Sequence, residues 1–345
     1  MILWFSFPSP FPLSTTARQR NSSASLRVLH IRFALRCAFR APSRSQRLYE
    51  GDACFLRQDY ETKRGATKME RHQNISADIP KWSALLIEAV NKPGLIMKAY
   101  SAFHSYSIGN QLLAIVQCQM RGLQPGPINT FPKWQALGRH VKRGERALTL
   151  CMPITRKRRG ENCEEESNGE GTFPSFVYKS RWFVLEQTEG QDLPPQVIPD
   201  WEDNRALPAL NVERIPFDST DGNCQGFARK RQIAINPVAQ LPHKTLFHEL
   251  AHVIIGHTLE ADFADTEKTP RSLREVEAEA VALLCCEALE LEGADYCRGY
   301  LQNWLYQGIG FDASAIPEKS AQKIFRAADQ IIRAGRPREK LDAED

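Results

Sequence analysis

Apolar residues return at helical spacing from Trp82 to Val90, through Leu85, Leu86 and Ala89, which predicts an amphipathic helix. A second helix is expected from Ile108, with Ser107 as its N-cap, an apolar face of Ile108, Leu112, Ile115 and Val116, and Gly122 past its end. A short helix around Trp134 should stop at Gly138, and the turn at 142–145 should lead into a strand over 147–152. Residues 175–188 alternate as a strand does, with Phe176, Tyr178, Ser180 and Trp182 on one face. Between these strands, 155–174 switches from basic to acidic and carries Gly, Ser and Asn, the pattern of a flexible loop. The stretch 191–211 is Pro-rich and aperiodic, as a domain linker would be. Beyond it, 226–237 reads as one strand, 245–257 and 272–289 as helices, and 296–305 and 316–335 as amphipathic helix that packs the domain.

This order predicts an α+β chain. A small mixed α/β domain at 69–190 precedes a mainly helical domain at 212–338, and 339–345 is a tail. Residues 1–68 have no periodicity that would build a core. They are apolar and Pro/Ser-rich at first, then Arg-rich and poor in acids. No basic residues precede the apolar part, so the segment is a poor signal peptide. It reads as an organelle transit peptide or as a translation start assigned too early; a start at Met69 is preferred.

Composition narrows the class. Of 345 residues, 42% are hydrophobic and 25% charged, ordinary for a globular protein. No apolar run approaches the roughly 20 residues that span a bilayer. The nine cysteines are scattered, with Cys285 and Cys286 adjacent in an apolar run, which argues against a disulfide framework. The expectation is a cytoplasmic protein without a membrane partner. Net charge is only +4, so affinity for nucleic acid must come from local clustering.

Such a cluster exists. Arg121, Lys133, Arg139, Lys142, Arg143 and Arg146 face only Glu145, and Arg156, Lys157, Arg158 and Arg159 follow. Phe103, His104, Tyr106, Phe131 and Trp134 are interleaved with them. Cations neutralise phosphates and flat side chains stack on unpaired bases, so the combination suits single-stranded DNA. The same spacing also fits Phe131 and Trp134 as core beneath a solvated charged face.

The second half carries a different chemistry. His248 and His252 are four apart on one helix, the spacing with which two imidazoles bind one zinc ion, and Glu249 stands beside the open position. A carboxylate there acts as general base, taking a proton from water and passing it to a leaving amine. His257 lies five residues after His252, beyond the helix stop expected at Gly256, and does not fit the spacing of a third ligand. Glu275 and Glu279 share a face of the next helix, so we take Glu275 as third ligand and Glu279 as the carboxylate that orients a histidine. Glu277 points elsewhere and reads as a solvated acid. Tyr296 and Tyr300 read as packing residues rather than oxyanion donors.

Taken together, "YSIGNQLLAI" (106–115), "FPKWQALGRHVKRGERAL" (131–148), "MPI" (152–154), "FVLEQTEG" (183–190), "HELAH" (248–252) and "EVEAEAVALLC" (275–285) resemble the ArdC-type antirestriction proteins of plasmids and other mobile elements. The peptidase half is also similar to the ImmA/IrrE metalloproteases. The resemblance implies a single-stranded-DNA-binding domain, with double-stranded DNA as a further partner, joined to a zincin-like Zn²⁺ metallopeptidase domain. It implies DNA contacts from Tyr106, Asn110, Lys133, Trp134, Arg139, Lys142, Arg143 and Arg146. The chain departs from the family after the metal helix, where "VIIGH" stands in place of an aromatic followed by "TGH". Two rival functions stay open: a regulatory protease that cleaves a repressor, and a non-enzymatic DNA-binding module with a structural metal.

Overall fold

In the computed structural model, residues 79–157, 172–258, 269–309 and 316–337 are described. The leader at 1–68, the centre of the loop expected at 155–174 and the tail at 339–345 lie outside them. The chain begins with three helices, α1 (Trp82–Asn91), α2 (Leu95–Phe103) and α3 (Ile108–Arg121). Leu85, Leu86, Ala89 and Val90 bury the inner face of α1. Ser107 does occupy the N-cap of α3, but its side chain makes no capping hydrogen bond. Gly122 ends α3 at φ 66, the left-handed conformation that closes a helix with little strain only in glycine.

Then follow β1 (Ile128–Thr130), α4 (Phe131–Ala136), β2 (Arg139–Val141), β3 (Leu148–Lys157), β4 (Thr172–Val184) and β5 (Thr188–Gly190). Strands β1, β4 and β3 form an antiparallel sheet in that order, and β2 pairs with β5. The ends of the expected loop are therefore strand, since β3 and β4 stay paired out to Lys157 and Thr172. Helix α3 closes the free edge of β3. Asn110 exchanges two hydrogen bonds with the backbone of Cys151, at 2.8 and 2.9 Å. Gln117 does the same with Thr149, at 2.8 and 2.9 Å. Pro153, next in that alternation, has no N–H to offer, so the edge cannot recruit another strand.

The second half holds α5 (Asp203–Ala209), β6 (Glu213–Arg214), β7 (Gly226–Arg229), β8 (Gln232–Ile235), α6 (Pro242–Ile255), α7 (Arg271–Ala288), α8 (Ala294–Ile309) and α9 (Glu318–Gly335). The single strand expected at 226–237 is a hairpin, β7 paired antiparallel with β8, and β6 joins β8 in parallel. Its turn was hidden because Lys230, not Gly or Asn, takes the left-handed φ of 52. Helix α7 is buried on every side from Val276 to Ala288 and forms the centre of this half.

The residues expected as a linker are part of the packing. They contain α5, and Trp201 packs edge-on against Phe247 at 5.0 Å and donates to the Ile331 carbonyl at 3.0 Å. The expected boundary is also bridged by two carboxylates, Glu318 and the buried Glu287. Glu318 of α9 accepts from the backbone N–H groups of Trp82 and Ser83, both at 3.0 Å, and so caps α1. Glu287 of α7 accepts from Ile96 N–H at 3.1 Å at the start of α2 and pairs with Arg298 of α8, which donates to the Ala89 carbonyl at 2.7 Å. The described residues from Pro80 onward consequently pack as one unit, because α1 and α2 satisfy their helix ends with side chains of the C-terminal helices.

Candidate metal centre

The sequence "TLFHELAHVII" buries both faces of α6. Leu246, Phe247, Leu250, Ala251 and Val253 enter the core, while His248 and His252 turn toward the carboxylates of α7. The Nε2 atoms of His248 and His252 lie 3.1 Å apart. Glu275 Oε2 lies 3.5 Å from the first and 3.7 Å from the second. These three side chains can hold a metal ion. A tetrahedral ion with bonds of about 2.0–2.1 Å sets its ligand atoms about 3.3–3.4 Å apart, so the triangle fits. Glu275 Oε1 is buried and makes no hydrogen bond, which in a buried carboxylate is costly unless a cation balances it.

Both histidines are held from behind. His248 Nδ1 lies 2.9 Å from Glu279 Oε2, and the other oxygen of Glu279 pairs with Lys244 Nζ at 3.0 Å. His252 Nδ1 lies 3.0 Å from His257 Nδ1, and His257 Nε2 lies 2.8 Å from Glu277 Oε2. Glu277, expected as a solvated acid, is fully buried, because α7 is enclosed on all sides and not on one face alone. Lys244 and Glu277 carried no motif spacing that could have singled them out, whereas His257 stands where the family pattern ends in "GH".

Electrostatics follow this geometry. Burial lowers the pKa of His248, but hydrogen bonds to Glu275 and Glu279 prevail and leave it at about 9. Burial takes His252 down to about 4. For Glu279, burial acts upward, but His248 and Lys244 hold the carboxyl down at about 2. Burial pushes Glu249 up to about 7, where a carboxylate exchanges protons near neutral pH. Glu249 lines a small cavity with Gln225, Lys244, Thr245 and His248.

Strand β7 crosses α6 directly beneath this group. A Cβ on Gly226 would lie 2.7 Å from Thr245 Cγ2, 3.0 Å from the Ala234 carbonyl oxygen and 3.3 Å from Glu249 Cγ. Gly226→Ala should therefore force β7 off α6 and destabilise the fold by about 1–3 kcal/mol. Thermal unfolding of the variant checks this; an unchanged Tm would mean that the strand yields freely.

The residues expected to touch DNA separate into two groups. Trp134 is wholly buried and donates through Nε1 to the Phe183 carbonyl at 2.9 Å, so it is core and not a stacking surface. Arg139 is 8% exposed and spends its guanidinium on Thr188 and the carbonyls of Gly190 and Gln191. Asn110 is bound to β3, and Tyr106 donates to the Ile128 carbonyl at 2.9 Å. Lys133, Lys142, Arg143 and Arg146 are exposed. Exposed rings stand elsewhere, at Phe131, Phe176 and Tyr178, the last stacked on Trp82 with ring centroids 6.2 Å apart. Their strand alternation was visible in the sequence, but which face meets solvent was not.

Fold and site define an α+β chain in which an HExxH helix and an acidic helix converge on one candidate metal centre. Residues 72–181 match the N-terminal domain of anti-restriction factor ArdC, and residues 208–291 match the IrrE N-terminal-like domain of a peptidase family. No curated protein matches the chain. Solved structures similar to it include two of the antirestriction ArdC protein from the R388 plasmid. The metal-free structure shares 18% identity at a TM-score of 0.45, over 74% of this chain and 97% of that one. The Mn(II)-bound structure shares 19% identity at a TM-score of 0.42, over 77% and 96%. The chain carries an ArdC-type N-terminal domain followed by an IrrE-like domain of a peptidase family.

Proposed function

We propose that this protein is a cytoplasmic antirestriction factor that binds single-stranded DNA with its N-terminal half and carries a zinc metallopeptidase centre in its C-terminal half. Among the described residues no helix is long and apolar enough to cross a membrane. The observation that carries the peptidase reading is the triangle of His248, His252 and Glu275, its two imidazoles buried, with Glu249 adjacent in sequence. A divalent ion held there would supply Lewis-acid polarisation and acidify water. Glu249 is the general base: burial keeps its carboxyl near neutrality, so it accepts a proton from water and delivers it to the departing amine. Glu279 holds His248 in place. Zinc is the proposed ion because two imidazoles and one carboxylate suit it. Metal analysis of the purified protein, with zinc and manganese offered in competition, decides its identity.

The DNA reading rests on the ArdC N-terminal match and on the exposed cations Lys133, Lys142, Arg143 and Arg146. Phosphate contacts come from these side chains, and stacking from Phe131, Phe176 and Tyr178 rather than Trp134. Fluorescence anisotropy of a labelled single-stranded oligonucleotide against the full chain, across a salt series, tests it. Neutralising Lys142, Arg143 and Arg146 together should lower the log–log salt slope by roughly 2, since each phosphate contact on a single strand contributes about 0.7. An unchanged slope rules out this face, and no binding at low salt removes the antirestriction reading.

A further inference from the structure

His252 has unlike neighbours on its two ring nitrogens. Nε2 faces His248 and Glu275, while Nδ1 lies 3.0 Å from Nδ1 of His257. Two Nδ1 atoms form a hydrogen bond only if one of them carries a proton and the other does not. The far end of the chain of contacts breaks that symmetry. Glu277 is wholly buried, and its Oε2 accepts from His257 Nε2 at 2.8 Å, so the proton of His257 is on Nε2. With His257 neutral, its Nδ1 is the acceptor and His252 donates from its own Nδ1. The lone pair of His252 Nε2 is left facing Glu275 and His248, as a metal ligand requires.

The backbone ties the same residues together. Gly256 ends α6 at φ 92, and the N–H of His257 returns to the His252 carbonyl at 2.8 Å. His257 is thus attached to His252 through both main chain and side chain. Glu277 leaves α7 about 200° round the helix from Glu275, which is why it reaches His257 and not the centre itself.

We infer that His257 and Glu277 are positioning residues, a second arm that fixes the tautomer and ring angle of His252 as the Glu279–Lys244 arm holds His248. The inference rests on the metal reading of the site. Outer partners of this kind change metal affinity by about 10–100-fold when removed. Asparagine places its amide oxygen near the Nδ1 position of histidine and so keeps an acceptor for His252, whereas phenylalanine keeps ring volume and removes it.

The test is a chelator-competition titration of the full-length protein with zinc alone and with manganese alone. His257→Phe should raise Kd by about 10–100-fold, and His257→Asn should stay within about threefold of the parent. Equal weakening in both variants would reduce His257 to packing, and a His257→Phe affinity equal to the parent's would end the proposal. The imidazole ¹⁵N spectrum of the metal-free parent needs no variant and covers the case in which His257→Phe does not fold. It should show His252 protonated on Nδ1 and unprotonated on Nε2; the opposite tautomer overturns the relay. If the parent binds no metal, the peptidase reading fails, and the spectrum still decides the hydrogen-bond order.

Discussion

Glu249→Gln is expected to lower peptide cleavage by about 10²–10⁴-fold, the usual contribution of a positioned general base. Metal content and thermal stability should stay at parental values. Glutamine has nearly the same volume, so it fits the cavity formed by Gln225, Lys244, Thr245 and His248, but it cannot accept the proton. The measurement is turnover of a degenerate peptide library by parent and variant, with metal content determined on the same samples. Cleavage that survives the change assigns the base elsewhere. The same variant separates the biological readings. If protection of incoming DNA persists without cleavage, that protection belongs to DNA binding; if it is lost, proteolysis is part of the mechanism.

The second large effect is structural. Glu287→Ala should destabilise the whole chain by about 3–5 kcal/mol, because it leaves the Arg298 guanidinium buried without its carboxylate. It also removes the acceptor for Ile96 N–H at the head of α2. Burial raises the Glu287 pKa even with Arg298 beside it, which shows how much desolvation this pair bears. Glu287→Gln retains an acceptor for Ile96 and should lose less. Chemical denaturation followed by tryptophan fluorescence and far-UV circular dichroism reads both variants. The two signals should coincide in one transition, since α1 and α2 are anchored by α7, α8 and α9. Two separated transitions would restore the independent halves that the Pro-rich stretch at 191–211 suggested.

What the sequence alone determined here is local. The four-residue spacing of His248 and His252, the helix stops at Gly122 and Gly256, and the alternation from Phe176 to Trp182 follow from helix and strand periods. Those periods depend only on near neighbours. The family motifs added the two-part order, since a motif of many residues carries information that a single HExxH does not. Tertiary structure decided which faces are inside. It put Trp134 and Arg139 in the interior of the basic half and left Phe176 and Tyr178 exposed. It turned Glu277 from a solvated acid into the buried end of a hydrogen-bonded chain, and it joined the two halves through Glu287, Arg298 and Glu318. None of these was legible along the chain because burial depends on what lies opposite. His257 and Glu277 are 20 residues apart and Ile96 and Glu287 are 191 apart, and only the packing of helix against helix brings such pairs within hydrogen-bond reach.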